Sequence, residues 1–102
     1  MKINGKEINF ALSIGAYCDF NDWCVANSEK SIARANVYKA LCMNRAYAQA
    51  HEGADTITEE ELMNLPQYMY TALLDELKKA EDEGNRRSVQ SVEKKQNARP
   101  NK

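Results

Sequence analysis

The chain has 102 residues, of which 43% are hydrophobic and 28% are charged, and its formal net charge is −1. This length and balance predict one globular domain with a modest core and exclude an intrinsically disordered chain. Since no apolar run approaches the roughly 18 residues of a membrane span and no signal peptide opens the chain, we expect a cytoplasmic protein without a membrane segment.

The charges are unevenly distributed along the chain. Residues 1–83 carry eight Lys or Arg against fourteen Asp or Glu, which sums to −6. Residues 84–102 carry six Lys or Arg against one Glu, which sums to +5. This division predicts an acidic folded body followed by a basic segment.

A β-hairpin is predicted at the start of the chain, around Asn4-Gly5. This pair favours a two-residue type I′ turn, because both central positions need a positive φ. The turn places Ile3 opposite Lys6, and strand alternation puts a set of apolar residues on one side. That set is Met1, Ile3, Ile8, Phe10 and Leu12. Because an isolated two-stranded hairpin is marginal in water, we expect this side to pack on helices.

A first helix is predicted over residues 13–27, beginning near Ser13. An aromatic group with one cysteine falls on one flank, and we interpret this flank as core. The group consists of Tyr17, Phe20, Trp23 and Cys24. Asp19 and Asp22 point the other way, and we interpret them as solvated carboxylates.

The longest predicted helix, residues 31–53, is the element around which we expect the rest to be arranged. It holds six alanines and has no Pro or Gly before Gly53, and alanine is the best helix former. Ser28 or Ser31 is predicted to cap it. One broad face collects mostly small residues, which lets a neighbouring helix approach closely. The face consists of Ala33, Val37, Ala40, Leu41, Tyr47 and Ala48.

Two helical segments are predicted in the second half of the chain. Residues 54–64 contain a capping box at Thr58 and Glu61, which predicts a short helix. Residues 66–83 follow Pro66, which suits a helix start, and give the clearest amphipathic pattern in the chain.

The apolar face of residues 66–83 has two interpretations, which the sequence leaves open. The face closes the protein's own core, or it is exposed and binds a partner. The candidate partner-binding residues are Met69, Tyr70, Leu73, Leu74 and Leu77. After Gly84 the apolar content falls, so residues 84–102 are predicted to be a flexible tail.

The predicted fold class is therefore mainly α. We expect a small helical domain with an N-terminal β-hairpin over residues 1–83 and a disordered, basic C-terminal tail over residues 84–102.

The sequence contains no enzyme signature. A Gly-rich phosphate loop, a GxSxG elbow, an HExxH motif and an EF-hand loop are all missing. Three cysteines without CxxC spacing are interpreted as small hydrophobes in helix packing, and His51 as a surface histidine at a helix end. The cysteines are Cys18, Cys24 and Cys42. We expect a protein that is not an enzyme and has no catalytic residues, metal or cofactor.

The opening INGKEINFALSIGA, residues 3–16, resembles the start of the tail assembly chaperones of long-tailed (siphovirus-type) bacteriophages. Those proteins typically begin with a segment of the type INGKEY-x-L-x-FG. Residues 3–7 match it, Leu12 falls where the pattern has an apolar residue, and Gly15 lies two residues after the position of its glycine. A second similarity is ITEEEL, residues 57–62, followed by a short amphipathic helix and a charged end.

The resemblance implies a non-enzymatic protein of the host cytoplasm that is made during virion assembly. It implies binding to the phage tape-measure protein, which the chaperone keeps soluble until tail-tube subunits polymerise around it. The tail-tube protein is a second implied partner, and self-association is a third contact, since several copies would be needed to cover a long partner.

Two alternatives stay open. The basic segment fits a small nucleic-acid-associated regulatory protein, although an acidic body repels the phosphate backbone. A phage structural or connector protein is the other. If nucleic acid is the partner, deletion of residues 84–102 abolishes binding, whereas the chaperone interpretation expects fold and partner binding to survive it.

Overall fold

The computed structural model describes the backbone of residues 1–98 and the side chains of residues 1–84. A two-stranded antiparallel hairpin is followed by helices, so the predicted mainly α fold with an N-terminal hairpin is confirmed. The elements in chain order are β1 (Lys2–Ile3), β2 (Lys6–Glu7), α1 (Ile14–Ala26), α2 (Ile32–Ala50), α3 (Glu59–Met63) and α4 (Met69–Ala98).

The hairpin has the predicted turn and register. Ile3 lies opposite Lys6, and Asn4 and Gly5 have φ values of 53° and 78°. Asparagine and glycine adopt such positive φ values at low cost, which is why the chain reverses here. Ile3 and Ile8 are both buried, so the apolar side of the hairpin does pack on the helices.

α2 is the central element, as predicted, and packs against α1, α3 and α4. The Ser31 hydroxyl caps it by accepting a hydrogen bond from the Arg34 N–H at 3.1 Å. The prediction of a single apolar face fails in the second half of α2. Consecutive residues all around the helix are buried there, because other elements surround it. These residues are Ala40, Leu41, Cys42, Met43, Asn44 and Ala46. Ala33, which the pattern placed on that face, is exposed.

The larger hydrophobic core joins the hairpin to α2, the loop before α3, α3 itself and α4. Its buried members are Ile3, Ile8, Ala40, Leu41, Met43, Ile57, Leu62, Leu73 and Leu77. The hairpin therefore contributes core residues although it contains only two short strands.

α1 packs on α2 through a second, smaller core. Ala16 of α1 and Cys42 and Ala46 of α2 form its buried centre, and the rings of Trp23 and Tyr38 stack 5.0 Å apart beside it. Small residues at the contact let the two helices approach closely.

The interpretation of the α1 flank as core needs correction at one position. Phe20, Trp23 and Cys24 are half-buried, but Tyr17 is 60% exposed. α2 is the one helix that covers α1 in the described part of the chain, and a single neighbour covers only a narrow face. Cys18 is also exposed, so its interpretation as a packing residue is wrong.

α4 begins three residues after Pro66 and continues through the domain boundary predicted at residue 83. Gly84 lies inside the helix, where a glycine costs only about 1 kcal/mol relative to alanine. The predicted tail, residues 84–102, thus overlaps α4 as far as Ala98. Residues 99–102 lie outside the described residues, and the flexibility of the segment stays a prediction.

Candidate partner-binding groove

The face of α4 that was predicted to bind a partner is largely covered by the protein itself. Leu73 and Leu77 are each only 2% exposed, and both belong to the larger core. Their side chains close the core together with α2, α3 and the hairpin, as the first of the two interpretations expects, and their role in partner binding stays a prediction. Met69, Tyr70 and Leu74 are half-buried.

An open apolar groove of about 340 Å³ lies next to this face, between the first half of α2, α3 and the start of α4. Two of the predicted residues, Tyr70 and Leu73, contribute to it from α4. We call this site the partner groove. Its apolar lining includes Val37, Leu62, Leu65, Pro66, Tyr70 and Leu73.

The loop between α3 and α4 forms one wall of the partner groove. The Met69 N–H donates to the Pro66 carbonyl at 2.9 Å, which closes a turn just before α4. Asn36 Nδ2 of α2 donates to the Tyr70 hydroxyl at 2.9 Å. This bond holds the start of α4 beside α2, and the short α3 leaves the space between them open.

One exposed apolar side chain belongs to the lining of the groove, and two more belong to residues next to lining residues in the sequence. Met63 lines it and is 45% exposed. Ile32 is 82% exposed and Tyr68 is 80% exposed, and each is a sequence neighbour of a lining residue. Large exposed apolar side chains that gather around a concave site are typical of a surface that binds another protein.

The partner groove has a basic edge. Arg34 lines the groove, and its Nη1 lies 4.0 Å from Glu59 Oε2. Both side chains are more than 40% exposed, at 44% and 55%, so this pair holds the guanidinium only weakly. The site therefore combines an apolar floor with a guanidinium that can turn to an acidic group.

Glu61 holds α3 in place from the side of the hairpin. Lys6 Nζ lies 2.9 Å from Glu61 Oε2, Asn4 Nδ2 donates to the same oxygen at 3.1 Å, and the Thr58 N–H donates to Oε1 at 3.1 Å. The Lys6 hydrogen bond, followed by those from Asn4 and Thr58, lowers the pKa of Glu61 from 4.5 to about 2. Thr58 Oγ1 accepts from the Glu61 N–H at 3.1 Å, so the predicted capping box is confirmed.

Asn44 fixes the loop before α3, and sequence reasoning missed it. It is 1% exposed; its Nδ2 donates to the Asn9 carbonyl at 3.0 Å, and its Oδ1 accepts from the Ile57 N–H at 2.9 Å. The residue thereby satisfies backbone groups from the segment before α1 and from the loop before α3. An asparagine in a helical pattern is ordinarily exposed. The only signal that could have found Asn44 is the set of apolar residues one helical turn before and after it, Ala40, Leu41, Tyr47 and Ala48.

The remaining titratable residues form no comparable site. Within the described residues, no group of three or more His, Cys, Asp or Glu side chains is placed to hold a metal ion. His51 is exposed at the end of α2, as predicted, and its ring stacks on Tyr47 at 3.9 Å. Burial raises the pKa of the Cys42 thiol, which suits a packing role. Across the described part of the chain, no helix combines the length and the apolar character needed to cross a membrane.

Comparisons with protein-family models, with curated proteins and with solved structures found no match to this chain. The functional proposal therefore rests on the partner groove and on the sequence resemblance.

Proposed function

We propose that this protein is a non-enzymatic tail assembly chaperone of a long-tailed bacteriophage. It acts in the host cytoplasm, binds the tape-measure protein and keeps it soluble until tail-tube subunits replace the chaperone. The open partner groove with its exposed apolar neighbours is the observation that carries this proposal. The resemblance of residues 3–16 and 57–62 to such chaperones supports the choice of partner.

The partner groove suits one amphipathic helix of the tape-measure protein. A helix presents apolar side chains at spacings of three and four residues, and two or three of these enter a groove of about 340 Å³. Burial of Met63 and its exposed apolar neighbours drives the contact. Because only a small surface is covered, binding stays weak enough for tube subunits to displace the chaperone.

Arg34 gives the contact a preferred partner sequence. A helix with an acidic residue beside its apolar side can pair with the guanidinium, which Glu59 holds only at 4.0 Å. Such a charge pair at the edge of an interface contributes mainly to orientation and to the rate of association.

The test is affinity recovery of the tagged chain from phage-producing cells, with and without nuclease, followed by mass spectrometry. We expect a long helical tail protein in both samples. The double variant Met63→Asp and Tyr68→Asp places one charge in the lining of the groove and one at the residue after the lining residue Gln67, and it should lose this protein. Val25→Asp is the matched control, because Val25 is 82% exposed on α1 and lies away from the partner groove. This variant should still recover the tail protein.

If the groove variant recovers as much of the tail protein as the wild type does, the partner groove is not the binding site. Recovery that disappears with nuclease would instead favour the basic segment as a nucleic-acid contact, and binding would then fall steeply with salt concentration.

A further inference from the structure

α1 carries a second exposed apolar surface, on the side away from α2. Ile14 is 86% exposed, Val25 is 82% exposed and Tyr17 is 60% exposed, and Cys18 and Asn21 are exposed as well. Their spacings from Ile14 are three, four, seven and eleven residues, which place all five on one side of a helix. We call this surface the α1 stripe.

No other helix in the described part of the chain covers the α1 stripe. A shallow groove of about 260 Å³ runs along it, to which Tyr17 and Asn21 belong. Leu12, which is 37% exposed, lies at one end of this groove, and Met43 lies among its lining. The stripe and this groove together form a continuous surface that can accept a helix.

The surroundings of the α1 stripe are acidic. Asp19 and Asp22 flank it on α1, and both are exposed. Glu81 of α4 lines the adjoining groove and Asp82 follows it, while the nearby cation Lys39 is already paired with Glu81. An occupant of this surface should therefore be a basic helix with some apolar residues.

The chain itself contains a segment of this kind. Residues 85–98 carry four Lys or Arg against one Glu, which sums to +3, and they include Val89 and Val92. The backbone of α4 continues as helix to Ala98. A Cβ placed on Gly84 would lie 3.8 Å from Leu12 Cβ. The basic segment therefore leaves the body next to the groove that borders the α1 stripe.

We propose that two copies of this chain form a closed dimer, in which the basic segment of each copy, residues 85–98, lies along the α1 stripe of the other. The composition of the segment matches this surface, since it is basic and contains two valines, whereas Asp19 and Asp22 make the flank of the stripe acidic. Since each copy carries both a segment and a stripe, and the segment begins at Gly84 beside Leu12, one two-fold axis allows both contacts to form at once.

Charge favours this arrangement over direct pairing of two α1 helices. A two-fold antiparallel pair of α1 helices brings like flanks together, so Asp19 and Asp22 of both copies would meet on one side. Like charges at an interface are unfavourable. The partner groove shares no lining residue with the α1 stripe, so the dimer neither depends on the proposed function nor blocks it.

The first test is sedimentation velocity of the full chain over a range of concentrations. We expect a monomer–dimer equilibrium with a dissociation constant on the order of 10 µM, since the interface is small. Raising the salt concentration should raise this dissociation constant, because salt screens exposed charges. A chain that stays monomeric up to millimolar concentration, or whose mass grows beyond a dimer, would overturn the proposal.

Two variants test the two sides of the proposed interface, the α1 stripe and the basic segment. Ile14→Asp with Val25→Asp places charges on the α1 stripe, and Arg86→Glu with Arg87→Glu reverses charge in the basic segment. Each should raise the dissociation constant by about tenfold or more. Ile32→Asp is the matched control, because Ile32 is 82% exposed on α2 and lies off the stripe.

Mixing the two variants is the decisive experiment. The stripe variant keeps an intact segment and the segment variant keeps an intact stripe, so the mixture restores one of the two contacts and should contain more dimer than either variant alone. A segment variant that dimerises like the wild type would instead show direct α1 pairing and overturn the proposal. Circular dichroism should show unchanged helix content in both variants. The two variants change different elements, so the result of the segment variant stands even if the stripe variant loses helix.

Discussion

At the scale of single residues, Glu61 joins three parts of the chain. Its carboxylate meets Lys6 and Asn4 of the hairpin and the Thr58 N–H at the start of α3. All three contacts are to the ionised form, which is why the pKa falls from 4.5 to about 2. The contribution of Glu61 to stability is therefore present above pH 4.5 and is lost as the pH falls through about 2.

Glu61→Gln should remove this pH dependence. We expect the free energy of unfolding of the variant to lie below that of the wild type at pH 7, and the two to converge between pH 4.5 and about 2. Urea unfolding followed by circular dichroism at several pH values measures this difference. Glu60→Gln is the control, because Glu60 is the exposed neighbour of Glu61 and should leave the curve nearly unchanged. A constant difference between Glu61→Gln and wild type at all pH values would contradict this role.

The sequence predicted half of what Glu61 does. Its bond with Thr58 follows from a spacing of three residues, which any reader of the sequence can recognise as a capping box. Its contacts with Lys6 and Asn4 span more than 50 residues of chain, and nothing local indicates them. Asn44 was missed for the same reason, since both of its partners come from other segments.

At the scale of elements, the contact between α1 and α2 depends on small side chains. Ala16 is 6% exposed and Ala46 is 8% exposed, and they meet at Cys42. A larger side chain at this buried contact has to push α1 away from α2 or displace the side chains around it.

Ala16→Leu should therefore destabilise the protein by about 1–3 kcal/mol, the usual cost of overpacking a core. Guanidinium unfolding followed by the fluorescence of Trp23, the only tryptophan, measures the change at the contact itself. Ala26→Leu, at an exposed position of the same helix, should change stability by less than about 0.5 kcal/mol. Equal losses in the two variants would show that α1 is not held through Ala16.

Element boundaries were predictable where a residue sets the backbone. Asn4 and Gly5 set the hairpin turn, and Ser31 and Thr58 cap α2 and α3 at the positions that the sequence indicates. The end of α4 was not predictable from Gly84, because one glycine weakens a helix without ending it when helix-forming residues follow.

At the scale of the whole molecule, the mainly α architecture followed from local patterns, but the candidate site did not. An amphipathic pattern indicates which side of α4 is apolar, but it does not indicate whether the protein itself or a partner covers that side. The structure shows that Leu73 and Leu77 belong to the protein's own core. The partner groove is formed by α2, α3, α4 and the loop at Pro66. No single stretch of sequence contains it, so only the packed structure could reveal it.

The structure also separates two exposed apolar surfaces that the sequence left undistinguished. The partner groove lies between α2, α3 and α4, and the α1 stripe lies on the far side of α1. Because the two share no lining residue, one surface can bind a tail protein while the other holds a second copy.

The most direct measurement of the central claim is the solubility of the recovered tail protein when it is co-expressed with this chain. The wild type and the stripe variant, Ile14→Asp with Val25→Asp, should both keep it in the soluble fraction. With the groove variant, Met63→Asp with Tyr68→Asp, the tail protein should be found in the pellet, because the apolar helix of the tail protein then stays exposed to water. Equal solubility with the groove variant and the wild type, or an insoluble tail protein beside the wild type, would contradict the chaperone account.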